Sequence, residues 1–598
     1  MIWRNAESFR RSAMHTQTKQ LQAFGEEVFS RFSSRAPALL VASDEVEYVL
    51  PVLREQYQRF FARYRKAYPL QGDSGAQHPR FWLWKMHKGL REVTLEGVDG
   101  QERMTCGPAV DRIPFLEGSP EINSQSLEHT LRYIHALLTD TDIMTAGADL
   151  FVIAHPKIAL GSLPGTSLWL EDVLAEMNHN PGPVRIVLTG LVGQLPPHIA
   201  NFIPALEFPH PDEISVRGVL AEAAGPNHPA YARPEEIPSS MAAALAGLSW
   251  RPLATTAREV AVRLSSPEQA LAHATQAKVA TLRTMAPFAR LVPTVVEEPP
   301  LVGFDRAREL AAELKLVLSK PELGVSAGGG IFLMGIPGNG KTQFVYWLSW
   351  YLGVPVIFDN FGDRANSLIG ESEKADRALK RMAWAMGPHL YMLDEVEKQT
   401  PNLKGSASDG GWGARQVAAM LQFQQEAASA GKPIVFVATA NTTHLDNLPP
   451  EFYSRYPNRY YVGEMSRETL AQVYQAHLSR LGGNEAYDCG ALAGCLVEHM
   501  SRRVRDLTGK EVPATTVPVG RDIVQTIDAA RRKAVVRDSS VPTQDELLAA
   551  IRELREGLLA LDPQGIILAR RVDEVSSNFP RPTGRRRSGD DGLITLNN

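Results

Sequence analysis

Residues 335–342 read GIPGNGKT and fit the pattern G-x-x-x-x-G-K-[ST] in full. The pattern lies between a predicted strand and a predicted helix, which is the context that a phosphate-binding loop requires. Glycines let successive backbone N–H groups face an anion, and a helix N-terminus favours negative charge. Lys341 is expected to reach the β- and γ-phosphates, and the Thr342 hydroxyl to bind Mg²⁺. The predicted nucleotide-binding set is Gly335, Ile336, Pro337, Gly338, Asn339, Gly340, Lys341, Thr342 and Gln343.

Three polar residues end two later apolar runs. Asp394 and Glu395 follow residues 390–393, and Asn441 ends the run 434–440. Ligands bind at the carboxyl ends of parallel strands, so we expect these side chains beside the loop. Asp394 is predicted to hold Mg²⁺ through water, and Glu395 to act as general base on the attacking water. Asn441 is predicted to bind the γ-phosphate and that water, although a turn-forming asparagine is the alternative.

Two arginines lie near the last predicted strand of this region: Arg455 shortly before it and Arg459 at its start. Phosphoryl transfer gains from an extra cation beside the γ-phosphate, which an arginine of a neighbouring subunit can supply. The alternative is that both arginines are simply solvated, as surface arginines usually are. The composition of this segment alone does not decide between that position and a role as the extra cation.

The composition limits the class of protein. With 598 residues the chain is long enough for several domains, and 44% hydrophobic residues allow sizeable cores. The formal net charge of −4 gives no general attraction to nucleic acid, although a local basic groove is not excluded. Three cysteines fit no disulfide framework, which favours a reducing, cytoplasmic location. We find no run of about 18 apolar residues, so no membrane span is expected.

Apolar runs alternate with helical patterns twice along the chain, which predicts two parallel α/β sheets, each followed by a helical region. Proline-rich residues between the two halves predict a linker. The predicted domains are 1–211, an α/β domain; 212–285, a helical subdomain; 286–300, the linker; 301–465, the second α/β domain; 466–570, a second helical region; and 571–598, a disordered tail.

Two pairs of segments indicate an internal repeat. LFVIAHP (150–156) resembles LYMLDEV (390–396), and residues 184–199 resemble residues 434–452, with LPP in both. They occur in the same order, which favours two copies of one module over chance similarity of apolar strands.

The first copy lacks the chemistry of the second. Ala154 and His155 stand where the second copy has its acidic pair, and Leu191 stands opposite Asn441. The predicted strand 38–42 is followed by Ser-Asp-Glu, without a glycine loop or a lysine. We therefore predict a degenerate first module that does not bind nucleotide. His155 is interpreted as a strand-end histidine, since no metal-binding partners surround it in the sequence.

These motifs together resemble the AAA+ ATPase family over roughly residues 301–561. Within that family, GIPGNGKT, GESEK, VATAN and LPPEF are similar to a plastid and cyanobacterial type with a degenerate first module. The resemblance implies that Arg521 is a lid sensor, and that Arg455 or Arg459 projects into a neighbouring subunit's site. It also implies a homo-oligomeric ring, expected to be a hexamer. Residues 368–369 lack the aromatic residue of the family's pore loop, and residues 404–413 form a predicted loop.

The resulting hypothesis is a protein with two P-loop-type parallel α/β modules, each followed by a helical lid, the first degenerate. The second is expected to bind and hydrolyse ATP with Mg²⁺ and to remodel an unknown protein partner. The alternatives are a nucleic-acid motor or loader of the same class, and a nucleotide-gated scaffold with little turnover.

Overall fold

The structure is a computed structural model of the whole chain. It describes residues 18–34, 36–67, 79–96, 103–109, 125–139, 149–156, 159–160, 164–179, 182–190, 199, 203–263, 266–320, 323, 325, 327–360, 369–399, 412–441, 448, 450–482, 487–508 and 518–554. The chain divides into two compact units, Met1–Ala277 and Lys278–Asn598. We call them the first and second modules.

The described part of the first module contains one sheet. Its strands are β1 (Ala38–Ala42), β2 (Arg80–Lys85), β3 (Gly89–Glu96), β4 (Arg103–Ala109), β5 (Asp149–Ala154), β6 (Arg185–Gly190) and β7 (Ala205–Glu207). The strand order is β4-β3-β2-β5-β6-β1-β7. The β3 and β4 strands pair antiparallel beside β2, and the other pairs are parallel.

Helices cover this sheet and continue beyond it. Around the sheet lie α1 (Lys19–Ser33), α2 (Val46–Ala67), α3 (Leu127–Thr139) and α4 (Pro164–His179). After β7 the described chain is helical, with α5 (Glu213–Ala224), α6 (Ser239–Leu245), α7 (Trp250–Arg263) and α8 (Pro267–Met285). Buried side chains of α5 and α7 join the same core as those of β1 and α2, so this helical region packs onto one face of the sheet.

The second module also contains one sheet in its described part. Its strands are β8 (Ala289–Val292), β9 (Ile331–Gly335), β10 (Val356–Asp359), β11 (His389–Leu393), β12 (Ile434–Asn441) and β13 (Asn458–Val462). The order is β13-β9-β12-β11-β10-β8, and only β8 runs antiparallel. The strands β9 and β11 are fully buried and, apart from His389, carry apolar or aromatic residues, as expected for a parallel sheet covered on both faces.

The helices of the second module separate into two groups. Those associated with the sheet are α9 (Asp305–Leu318), α10 (Lys341–Leu352), α11 (Ile369–Ala385), α12 (Trp412–Ser429) and α13 (Pro450–Arg455). After β13 come α14 (Arg467–Leu478), α15 (Cys489–Thr508), α16 (Gly520–Ala534) and α17 (Gln544–Glu553). The second group packs together through buried side chains such as Leu470, Leu496 and Ile527, and forms the helical lid.

The parallel strands of both sheets are arranged in the same way. Numbered one to five along the chain, β1, β2, β5, β6 and β7 lie in the order 5-1-4-3-2, and so do β9 to β13. In each sheet an antiparallel strand lies beside strand two. The predicted fold class, two P-loop-type α/β modules with following helical regions, is confirmed.

The predicted linker over residues 286–300 is wrong in part. Residues 289–292 form β8, which pairs antiparallel with β10. Proline flanks this strand at Pro287 and Pro293, and its position at the sheet edge explains why flanking prolines are tolerated. The hairpin of β3 and β4 was also not predicted. The division between the units falls within α8, ahead of the predicted boundary at residue 285.

None of the helices in the described part of the chain combines the length and hydropathy that a membrane crossing needs. The predicted disordered tail, 571–598, and the loop 404–413, apart from the backbone of residues 412 and 413 at the start of α12, lie outside the described residues.

Candidate nucleotide site

The loop between β9 and α10 has a backbone that requires glycine. Gly338 and Gly340 have φ values of 89° and 91°. Gly335 has φ 153°, and a Cβ atom there would lie 2.1 Å from the carbonyl oxygen of Val462 on β13. A side chain at Gly335 would therefore collide with the neighbouring strand, so the first glycine of the motif is needed for packing as well as for the turn.

Asn339 fixes this loop from inside. It is 1% exposed, and its Nδ2 donates to the carbonyl of Gly463 at 2.7 Å. Its Oδ1 accepts from the backbone N–H of Gly520 at 3.3 Å. The N–H of Arg521 donates to the carbonyl of Gly338 at 3.1 Å. The first two N–H groups of lid helix α16 are thus bound by the loop.

Lys341, the first residue of α10, is almost completely buried. Its Nζ donates to the carbonyls of Gly335 and Ile336 at 2.9 and 3.1 Å, and to Oδ1 of Asn441 at 3.2 Å. Burial lowers the pKa of Lys341 to about 8, against the opposing effect of nearby carboxylates. The ammonium group is therefore held by neutral oxygens at the place where a phosphate would arrive.

Asp394 and Glu395 follow β11 directly. Thr439 on the adjacent strand β12 connects them, because its hydroxyl donates to Asp394 Oδ1 and accepts from the Glu395 N–H at 3.1 Å. Glu395 has a left-handed backbone with φ 48°. Such a conformation is uncommon for a residue other than glycine and concentrates at functional sites.

Asn441 lies between the lysine and the glutamate. Its Oδ1 accepts from Lys341, and its Nδ2 donates to Glu395 Oε1 at 3.4 Å. Glu397 is 2% exposed, and burial raises the pKa of its carboxyl group against the opposing effect of the Asn441 backbone. The predicted side chains of loop, acidic pair and asparagine therefore meet at one edge of the sheet.

A cavity of about 170 Å³ adjoins the loop. Loop residues Gly338 and Gly340 form one side, and the lid contributes His477 and Arg521. The segment predicted as a linker also contributes, since Pro300 lines the cavity and its carbonyl accepts from Gln343 Nε2 at 3.2 Å. Sequence reasoning missed the remaining apolar side chains of the lining, which are Leu301, Val302, Phe304, Met465, Val473, Ala476 and Val524.

The donor set fits Mg²⁺. Thr342 offers a hydroxyl and Asp394 a carboxylate, and oxygen donors are what this ion prefers. A carboxylate has about four acceptor positions, so the bond from Thr439 does not exhaust Asp394. No group of three or more His, Cys, Asp or Glu side chains capable of holding a metal occurs among the described residues. Phosphate oxygens and water would therefore complete the coordination.

The two predicted finger arginines lie away from this site. Arg455 ends α13 and donates to Gln425 Oε1. The guanidinium of Arg459 lies 5.8 Å from the ring centre of Tyr453. In the sheet register Arg459 is opposite Phe332, three residues before Gly335, or roughly 10 Å from the edge that carries the loop.

The predicted pore-loop position, residues 368–369, is described only in part. Residue 368 lies outside the described residues, and only the backbone of residue 369 is described.

Thr439 is a site residue to which the sequence analysis assigned no role, although it lies in the VATAN segment. Its alternation with Asn441 on one strand, pointing to the same side, was the available signal.

Residues 331–464 match the family described as "ATPase family associated with various cellular activities (AAA)". The matched region contains the loop, the acidic pair and Asn441. The second module therefore contains a domain of this ATPase family, and such a domain implies nucleotide binding.

Several known proteins are similar to part of this chain. The chain is 28% identical over 159 residues to the uncharacterized AAA domain-containing protein ycf46 of Gracilaria tenuistipitata var. liui, covering 26% of this chain and 31% of that protein. It is 24% identical over 264 residues to the ATPase family gene 2 protein of Saccharomyces cerevisiae, covering 42% and 33%. Protein SAV of Sulfolobus acidocaldarius is 30% identical over 182 residues, covering 29% and 23%.

The chain thus spans about a third or less of the length of these curated relatives. Its resemblance to the ycf46 type is confirmed by several such relatives from plastid-bearing organisms, including Pyropia yezoensis and Guillardia theta.

Proposed function

We propose that the second module binds ATP with Mg²⁺ and hydrolyses it. The observation that carries this proposal is the continuous hydrogen-bonded line from Lys341 through Asn441 to Glu395. It joins the cation that would hold the γ-phosphate to the carboxylate that would activate water.

The residues divide the reaction between them. Lys341 exchanges its carbonyl partners for β- and γ-phosphate oxygens. Glu395 accepts a proton from the water while the water oxygen attacks the γ-phosphorus. The bond from that phosphorus to the β,γ-bridging oxygen breaks, and ADP leaves with the electron pair. Asn441 orients the water and the γ-phosphate. Mg²⁺, held by Thr342 and Asp394, would supply neutralisation of charge on the phosphate oxygens.

We further propose that the chain works as a homo-oligomeric ring, a hexamer, that remodels a protein partner. Support comes from the resemblance to AAA proteins and from the position of Arg455 and Arg459, remote from the loop of their own module. An arginine at that position can complete a site only on another subunit.

Steady-state phosphate release tests the proposed hydrolysis. Glu395→Gln should bind ATP with near wild-type affinity and lose about 10²–10⁴-fold in turnover, because the amide cannot accept the proton. Glu313→Gln, an exposed acid on α9, is the matched control and should retain turnover. Equal turnover in Glu395→Gln and wild type would remove Glu395 as the base. Tight binding by a wild-type protein without measurable turnover would instead favour the scaffold alternative.

A further inference from the structure

The loop after the first strand contacts a lid helix in both modules. In the second module the N–H groups of Gly520 and Arg521, the first two residues of α16, donate to Asn339 Oδ1 and to the Gly338 carbonyl. Here the loop has five residues, 336–340, between β9 and α10. The cavity described above lies between this loop and α16, so a bound nucleotide would touch both.

The first module makes the same contact with different chemistry. Its loop has three residues, 43–45, between β1 and α2. The N–H groups of Trp250 and Arg251, the first two residues of α7, donate to the Glu45 carboxylate at 3.1 and 2.8 Å. The hydroxyl of Ser249 donates to the same carboxylate at 3.0 Å. One side chain thus satisfies three donors at the start of the lid helix.

The arginine next to this contact is also held within the module. Arg251 occupies the position in α7 that Arg521 has in α16. Its Nε donates to Glu47 Oε1 at 2.7 Å, and its side chain approaches the carbonyl of Asp44. In the second module, by contrast, Arg521 lines the cavity.

Aromatic packing secures the same helix start. Trp250 is 1% exposed, stacks on Tyr48 with ring centres 5.8 Å apart, and donates from Nε1 to the carbonyl of Pro209 at 2.9 Å. Tyr48 belongs to α2, immediately after the loop. The loop, α2 and the lid helix are therefore joined by hydrogen bonds and by a buried aromatic contact.

We propose that Glu45 is a built-in latch that holds the lid helix of the first module to its loop without nucleotide. Its carboxylate is a fixed anion at the N-terminus of α7, where negative charge is favourable and the hydrogen bonds are charge-assisted. Because the latch is part of the chain, the lid of the first module keeps one arrangement with or without ATP. The first module is then a constant element of a chain whose second module responds to nucleotide. This inference does not depend on the proposed hydrolysis.

Hydrogen exchange on the full chain tests the latch. The amides of Trp250 and Arg251 are the direct reporters, since they donate to Glu45. In Glu45→Ala the exchange rate of these two amides should rise about tenfold or more, because the two charge-assisted hydrogen bonds that cap the helix are lost. Glu45→Gln should show a smaller rise, since its amide oxygen still accepts. Glu55→Ala, an exposed acid on α2, is the matched control and should exchange like wild type.

Adding ATP and Mg²⁺ to wild type gives the second half of the test. Peptides covering 43–50 and 249–256 should show no change, whereas those covering 335–343 and 520–526 should become protected. ATP-dependent protection of the first pair would overturn the proposal. So would exchange at Trp250 and Arg251 within twofold of wild type in Glu45→Ala, or, if that variant does not fold, in Glu45→Gln. Absence of protection at 335–343 would count against nucleotide binding by the second module and leave the Glu45 comparison valid.

Discussion

His155 and Glu395 have the same left-handed backbone, with φ values of 52° and 48°. Each lies just beyond the third parallel strand of its module, His155 after β5 and Glu395 after β11. A residue with a Cβ atom rarely adopts this conformation, so its occurrence at matching positions of two sheets with one strand order supports duplication. The first module therefore has the same backbone at this position, but it carries Ala154 and His155 where the second module has its acidic pair.

A buried threonine lies next to this strand end in each module. Thr189 on β6 pairs with Ala154 on β5. Thr439 on β12 lies one residue beyond the last register pair, Leu393 with Ala438, and so occupies the matching position next to Asp394. Thr439 bonds to the acidic pair. Thr189 is 0% exposed, and its hydroxyl has no hydrogen-bond partner among the described residues. Ala154, which lies opposite Thr189, has no side-chain acceptor, whereas Thr439 bonds to Asp394.

Valine substitutions at these two positions should differ in their effect on the unfolding free energy. Thr439→Val removes a donor to Asp394 and an acceptor for the Glu395 N–H, so the second module should lose about 1–3 kcal/mol of unfolding free energy. Turnover should fall with it, because the acidic pair is no longer held. Thr189→Val removes a hydroxyl for which the described part of the chain offers no hydrogen-bond partner, so the stability of the first module should stay the same or rise.

Chemical denaturation with probes in each module measures both effects, and phosphate release measures the first. The two variants control for each other, since the change in volume is identical. A loss of stability in Thr189→Val as large as that in Thr439→Val would contradict this account of the first module.

Lys341→Ala should bind ATP about 10- to 100-fold more weakly or worse, because it removes the charged donor to the phosphates. Titration with a fluorescent ATP analogue is the measurement. Lys320→Ala, an exposed lysine just beyond α9, should bind normally. Wild-type affinity in Lys341→Ala would place the nucleotide elsewhere in the molecule.

One nucleotide per chain is the expected stoichiometry. The loop of the first module has three residues and presents Glu45 to the lid, which leaves no glycine-lined cradle for phosphate. Isothermal titration of the full-length protein with a slowly hydrolysed ATP analogue gives the number directly. Two sites per chain, one surviving in Lys341→Ala, would show that the first module binds nucleotide after all.

The sequence predicted the second sheet well for a physical reason. Its strands are short apolar runs such as 331–334 and 390–393, bounded by glycine, proline or acids, and they are buried as completely as their composition indicates. The site followed because the motif residues end those strands, and parallel strands bring their carboxyl ends to one edge.

Other features depended on contacts that sequence patterns do not encode. Strand β8 was read as linker because its flanking prolines dominate the segment, yet it pairs at the sheet edge. Glu45 looked like part of a polar turn, and its role emerges only where α7, about 200 residues later, supplies three donors. Glu397 was likewise recognisable only through its buried position beside the site.

The last prediction concerns the arginine that completes the site. Arg459→Ala should bind ATP normally and hydrolyse it about 10³-fold or more slowly, the contribution expected of an arginine finger. Arg459 is our first choice because it lies on β13 itself, and Arg455 is the second, since its guanidinium already binds Gln425. Arg532→Ala, an exposed arginine of α16, serves as control. Arg455→Ala, measured in parallel, decides between the two candidates.

Mixing two inactive variants distinguishes a finger in trans from a local effect. In mixed oligomers of Arg459→Ala and Lys341→Ala, a site with Lys341 intact can receive Arg459 from its Lys341→Ala neighbour. Phosphate release should therefore reappear on mixing, with a maximum at intermediate ratios and a dependence on total protein concentration. Sedimentation in the presence of ATP should show the oligomer under the same conditions. No recovery at any ratio, or wild-type turnover independent of concentration in a species that stays monomeric, would refute a finger supplied by the neighbouring subunit.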